Sequence, residues 1–224
     1  MPDRNPTALL LAALTCGERL GAKRARDNAA FAPDEASRRQ QEHVAEREEG
    51  NVELVSARLA EVASPDLSAR FLPYFEAFHE HTRPSDWVEA QTFHYVGDAM
   101  VGQFGEVLAA KVDPISAEVI RKTLGERDDL ETFALDELTR AMKSDPTAKE
   151  RIAAYARRIS GEAFTQTKRA LESSAALRDL LGGEQGEKRF LLELLEGHRV
   201  RMDRLGIDLM GGDEDEDEDD EFDD

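Results

Sequence analysis

The chain has 224 residues, with 29 lysines and arginines against 48 aspartates and glutamates, for a formal net charge of −19. That length suits one domain whose core needs no covalent staples, and the lone Cys16 excludes a disulfide framework and a four-cysteine zinc site. The acidity disfavours nucleic-acid binding, which depends on clustered lysine and arginine to neutralise phosphates, and no apolar run approaches the roughly 20 residues of a membrane span.

The expected elements follow the prolines. Pro6, Pro33, Pro65, Pro84, Pro114 and Pro146 each stand where a helix is expected to begin, because proline lacks only an N–H that has no intrahelical partner at that point. Asn5, Ser64, Asp113 and Asp145 immediately precede four of them as candidate caps. Alanine, leucine, glutamate and arginine dominate the intervals, and no alternating strand pattern with hairpin turns is present. Helices are predicted over about 6–29, 33–63, 66–80, 84–112, 114–143, 146–181 and 184–205. Pro73 should kink or split the third, Gly182-Gly183 should separate the last two, and Gly206 should end the series in a left-handed stop. The predicted fold is all-α: an antiparallel four-helix bundle with a crossover over 64–83 and two additional C-terminal helices. Residues 1–210 are read as one all-helical domain. Residues 211–224 are read as a disordered acidic tail, since 11 of the last 12 residues are aspartate or glutamate.

Polar residues interrupt the apolar stripe of every core helix. The first stripe runs Leu11, Leu14, Glu18, Ala22, Ala25, and the second Val44, Glu48, Asn51, Val55, Leu59, Val62. The third runs Trp87, Gln91, His94, Asp98, Val101, Gly105, Leu108, and the fourth Ile120, Leu124, Arg127, Leu130, Ala134, Leu138. Their depth from the helix ends predicts that Glu18, Glu48, Asn51, Asp98 and Arg127 converge in one layer, with His94 a turn away. Buried charges must be paired, hydrogen-bonded or bound to metal. A carboxylate from each of two helices plus Glu-x-x-His from each of two others is the di-iron pattern of helical bundles. In Glu48-Glu49-Gly50-Asn51 an asparagine takes the histidine place. In Arg127-Asp128-Asp129-Leu130 an arginine replaces the carboxylate and a leucine the histidine.

The stripes, together with Cys16-Gly17-Glu18-Arg19-Leu20, Thr82-Arg83-Pro84-Ser85-Asp86-Trp87, Tyr95-Val96-Gly97-Asp98, Arg157-Arg158-Ile159-Ser160-Gly161-Glu162-Ala163 and Arg201-Met202-Asp203-Arg204-Leu205-Gly206, resemble a known family. It is the ferritin-like family related to the tRNA methylthio-isopentenyladenosine hydroxylase, especially its actinobacterial branch, and the likeness spans about residues 6 to 207. The resemblance implies a di-iron hydroxylase fold in which Glu18, Glu48 and Asp98 hold ligand positions, while Asn51, Arg127 and Leu130 depart from the pattern.

Three readings follow. In the first, the metal is lost, no cofactor is bound, Arg127 balances the carboxylates, and the bundle is an interaction or regulatory module for a protein partner. In the second, the chain is a di-iron hydroxylase with shifted ligands, drawing on Glu126, Asp129, His94 or Glu162, and iron is its cofactor. In the third, the polar layer is ordinary packing in a bundle without di-iron ancestry. The other residues read blandly. The runs Lys23-Arg24-Ala25-Arg26, Arg157-Arg158 and Lys168-Arg169 are expected to be solvated faces, His198 to be packing, Trp87 to anchor the crossover, and His43, His79 and His81 to lie at or near exposed segments. Cys16 has no basic neighbour in sequence that would activate it. No phosphate loop, nucleophile elbow or His-Glu-x-x-His motif is present. A location in the cytoplasm, away from membranes, is expected, since the first residues lack a secretory pattern. On the first reading, Arg127→Leu orphans buried carboxylates and costs about 3–5 kcal/mol in chemical denaturation, and a loss below about 1 kcal/mol refutes the pairing.

Overall fold

Asn5 opens the first helix by accepting the Thr7 and Ala8 amides on its side chain at 3.1 and 3.3 Å, with Pro6 as the first helical residue. A computed structural model describes residues 5–125 and 128–208. The first helix, α1 (Pro6–Asn28), passes through a short 3-10 turn into α2 (Glu35–Val62). The crossover is a 3-10 turn over Pro65–Arg70 followed by α3 (Leu72–His81), so the expected third helix is split, with Pro73 in the first turn of α3. The third core helix comprises α4 (Trp87–Phe93), a π-helical turn over His94–Asp98 and α5 (Ala99–Ala109). Then come α6 (Pro114–Leu124), α7 (Asp128–Ser144), α8 (Ala148–Glu172), α9 (Ala175–Leu181) and α10 (Gly183–Arg204).

The proline rule holds in part. Pro6 and Pro114 occupy the first helical position, each behind a working cap, and Pro65 opens the 3-10 turn. Pro33 and Pro84 instead precede the capping residue. Asp34 accepts the Ser37 amide at 2.8 Å and Asp86 the Glu89 amide at 2.9 Å, so α2 and α4 begin one residue beyond their carboxylates. Pro146 lies in the turn before α8. Two predicted long helices are each two. The 114–143 helix ends at Leu124, where Gly125 is the C-cap and a β-carbon would collide with the Arg121 carbonyl. The 146–181 helix breaks at Ser173-Ser174, the second serine capping α9 through the Leu177 amide.

The four-helix plan holds with these breaks: α1 packs along α2, and the α4–α5 helix packs against α6 and α7. On this core lie α8, against α3 and α4, and α9 and α10, against α1 and α5 respectively. Leu9, Leu11, Leu59, Ile120, Leu138, Ile152 and Ile159 are completely or almost completely buried where these elements meet. Trp87 fastens the start of α4 to α7: its Nε1 donates to Glu137 Oε2 at 2.7 Å and its ring meets Phe133 edge-on, 6.4 Å between centroids. Gly182 at φ +99° and Gly206 at φ +67° terminate α9 and α10 in the left-handed region. Among the described residues no helix is long and apolar enough to cross a membrane. The acidic tail lies outside the described residues.

The helical glycines differ in what surrounds them. Gly161 has no atom near the position a β-carbon would take, so Gly161→Ala should stabilise the fold by about 0.5–1 kcal/mol through helix propensity alone. At Gly186 the same atom would collide with the Leu181 carbonyl, so Gly186→Ala should destabilise despite the same propensity gain. Urea unfolding of both variants measures the opposite signs.

Candidate functional site

Four of the sequence-predicted polar residues, Glu18, Glu48, His94 and Asp98, are buried, and Asn51 is partly buried. Glu18 and Glu48 are 3% and 4% exposed, on the facing sides of α1 and α2, and Asp98 and His94 are buried in the π-helical turn. Gly21 makes room for Glu48: a β-carbon on Gly21 would overlap the Glu48 carboxylate. Asn51, one turn on from Glu48, donates from Nδ2 to Glu18 Oε2 at 2.9 Å and to the Thr123 carbonyl at 3.1 Å. This single amide therefore ties α2 to α1 and to the end of α6.

The π-helical turn sets the other half of the layer. Such turns insert an extra residue into a helix and recur at functional sites. Here the turn aligns His94 Nδ1 with Asp98 Oδ2 at 2.8 Å, while His94 Nε2 lies 2.9 Å from Gln41 Oε1 on α2. It also upsets the 3.6-residue stripe beyond it. Val101, expected in the core, is 37% exposed, and Met100 is buried instead.

An arginine other than Arg127 stands buried beside this layer. Arg24, expected on a solvated basic face, is 3% exposed. Its Nη1 donates to the Thr82 carbonyl at 2.6 Å, and its Nη2 to Thr82 Oγ1 at 3.0 Å and the His79 carbonyl at 3.3 Å. The guanidinium lies 3.7 Å from the centre of the Phe93 ring. Burial pulls its pKa down to about 10, while Tyr155, Asp98 and Glu48 act to raise it, so Arg24 remains a cation at neutral pH. Tyr155 donates to the same Thr82 carbonyl at 2.8 Å, and burial pushes its hydroxyl upward in pKa. The signal was available in the spacing Leu14, Gly17, Gly21, Arg24, Asn28, a second line along α1 in which two glycines make room for larger neighbours.

Other residues correct or fill out the sequence reading. His79, expected near an exposed segment, is buried, and burial followed by the Arg24 charge lowers its pKa to about 4. His198 is buried as expected for packing, and burial, with Arg201 second, lowers it to about 4. His43 is exposed, and His81 pairs through Nδ1 with Glu162 Oε1 at 2.8 Å. Cys16 donates to the Ser68 carbonyl at 3.0 Å, and burial pushes its thiol up to about 11, which leaves it protonated.

Arg127 and Glu126 lie outside the described residues. The expected pairing of Arg127 with the carboxylates therefore falls outside what the structure describes; α6 ends at Leu124 and α7 begins at Asp128. Leu130 is 1% exposed in a small apolar cluster with Ala25, Val44 and Ala45. Asp129 is exposed, and its Oδ1 accepts the Leu130 amide at 2.8 Å.

Among the described residues the donor set departs from the di-iron pattern. Of the residues where the pattern requires histidine, Asn51 is hydrogen-bonded within the layer and Leu130 has no donor atom. A ligating histidine keeps one ring nitrogen for the metal, whereas both nitrogens of His94 already face protein oxygens. Among the described residues no group of three or more His, Cys, Asp or Glu side chains is arranged to hold a metal ion.

The comparisons agree with this architecture. The family model described as "Ferritin-like domain, actinomycetes" matches residues 4–184, and the chain belongs to that ferritin-like family. Comparison with curated proteins returns no match. The matched region ends at the start of α10 and contains every residue of the polar layer.

Replacing the buried guanidinium removes three hydrogen bonds and leaves the Thr82 and His79 acceptors without it. Arg24→Met should therefore lower stability by about 2–3 kcal/mol, less than the bonds' sum because a buried charge is removed with them. Denaturant titration of the variant checks this, and a change within about 0.5 kcal/mol would show that Arg24 contributes nothing net.

Proposed function

We propose that this protein is a ferritin-like bundle, related to the tRNA-modifying hydroxylases, in which a hydrogen-bonded polar layer has replaced the di-iron centre. It serves as an interaction or regulatory module that acts on a protein partner and needs no resident metal. One observation above all supports this reading: Asn51, at a position the metal pattern gives to histidine, bridges Glu18 to the Thr123 carbonyl. An amide there is a weak, neutral ligand but a good hydrogen-bond donor, and its donor group is turned toward oxygens of two other helices. The engagement of both His94 nitrogens and the apolar surroundings of Leu130 support the same conclusion.

A second reading has its own support. Glu18, Glu48 and Asp98 remain as buried carboxylates on three separate core helices, the third in a π-helical turn. Hard oxygen donors in that arrangement suit iron. On this reading the chain is a di-iron hydroxylase with shifted ligands. Glu162 and Asp129 are poor recruits for it, Glu162 being paired with His81 and Gln166 and Asp129 being exposed.

Elemental analysis of aerobically purified protein separates the two. Sub-stoichiometric iron that does not rise after anaerobic loading with ferrous iron and re-oxidation is the expected result. A pair of irons per chain with oxo-bridge absorption in the near ultraviolet would overturn the proposal.

A further inference from the structure

A cavity of about 230 Å³ lies between the four-helix core and the C-terminal helices. Its walls are largely apolar: Leu10 and Leu14 of α1, Phe75 and Phe78 of α3, Leu177 of α9 and Leu194 of α10 are among them. Protein interiors hold few voids larger than a water molecule, and an apolar cavity of about 150 Å³ already takes up a benzene-sized molecule. At about 30 Å³ for each water-sized group, this one has room for about eight.

Two polar side chains on the wall describe the rest of an occupant. Gln166 is buried and donates from Nε2 to Glu162 Oε1 at 2.6 Å, while its Oε1 is buried without a hydrogen-bond partner. His79 is 9% exposed, and both of its ring nitrogens are likewise buried and unpartnered. A buried acceptor and a buried neutral imidazole are costly unless something bonds to them. Both residues line the cavity, so an occupant could supply the missing partner.

Burial selects against the ionised alternatives, because either ion would lose its hydration on entry. Glu18, Glu48 and Asp98 are among the lining residues and repel an anionic head group. An ammonium would meet Glu18 and Asp98 already engaged by Asn51 and His94, with the Arg24 cation among the same lining residues.

We propose that this cavity binds a neutral, hydrocarbon-rich molecule ending in a hydroxyl group, with the hydroxyl donating to Gln166 Oε1 and the chain lying among the phenylalanines and leucines. Medium-chain alcohols are the simplest members of the class. The proposal rests on the reading of a bundle that works without a metal, and gives that module a small-molecule ligand.

Calorimetric titration of the full chain with 1-octanol, octanoate and octylamine tests it. Saturable one-to-one binding of 1-octanol is expected, with both charged analogues at least about tenfold weaker. Gln166→Leu should weaken 1-octanol about tenfold through the lost hydrogen bond, and Ala163→Leu, which fills the cavity, should abolish binding. Absence of saturable 1-octanol binding overturns the proposal. So does a charged analogue that binds as tightly, or an affinity unchanged in Gln166→Leu. Should Ala163→Leu fail to fold, Gln166→Leu decides. Iron analysis of the same preparation keeps the outcomes distinct. Stoichiometric iron defeats the metal-free reading whatever the alcohol does, and metal-free protein that ignores 1-octanol defeats only the ligand.

Discussion

A carboxylate buried in the middle of a helical bundle is stable only if opposite charge, metal or hydrogen bonds replace the water it has lost. Much of this molecule is arranged around that requirement. Asn51 gives its amide to Glu18, His94 stands between Asp98 and Gln41, and Gly21 gives up a side chain so that the Glu48 carboxylate can fit against α1. The helices that supply these groups form the four-helix core, so the polar layer also fixes how α1, α2 and α4–α5 are registered against one another.

Arg24 meets the same requirement differently. Its hydrogen bonds run to the Thr82 hydroxyl and to two carbonyls at the end of α3, where a helix leaves carbonyl oxygens without intrahelical partners. The guanidinium thus finishes the C-terminus of α3 and lies on the Phe93 ring of α4. With Tyr155 donating to the same Thr82 carbonyl, one backbone oxygen joins α1, α8 and the crossover. The cavity lies beside this junction, with Arg24 in its wall, so the side chain that anchors the crossover also bounds the space between the core and the added helices.

The family match and the site chemistry address different questions. Belonging to a ferritin-like family accounts for the helical bundle. It does not dictate a metal, because the ligand set is fixed by individual side chains and a fold hosts many chemistries. At Asn51 and Leu130 this chain offers a hydrogen-bonding amide and a hydrocarbon.

The helical class, the caps at Asn5 and Asp113, the split at Pro73 and the burial of Glu18, Glu48, His94 and Asp98 were all legible in the sequence, because each follows from local rules: a missing N–H, an oxygen within reach of a first-turn amide, or a residue on an apolar stripe. The breaks at Gly125 and Ser173 were not legible, since good helix formers flank both and packing against neighbouring elements decides where a long helix divides. The π-helical turn, the exposure of Val101 and the burial of Arg24 and His79 were hidden for the same reason. Periodicity reports which face of one helix is apolar. Whether a polar side chain on another face meets water or a carbonyl depends on what the crossover and the C-terminal helices bring against it, and those contacts span 55 and 58 residues of chain at Arg24 alone.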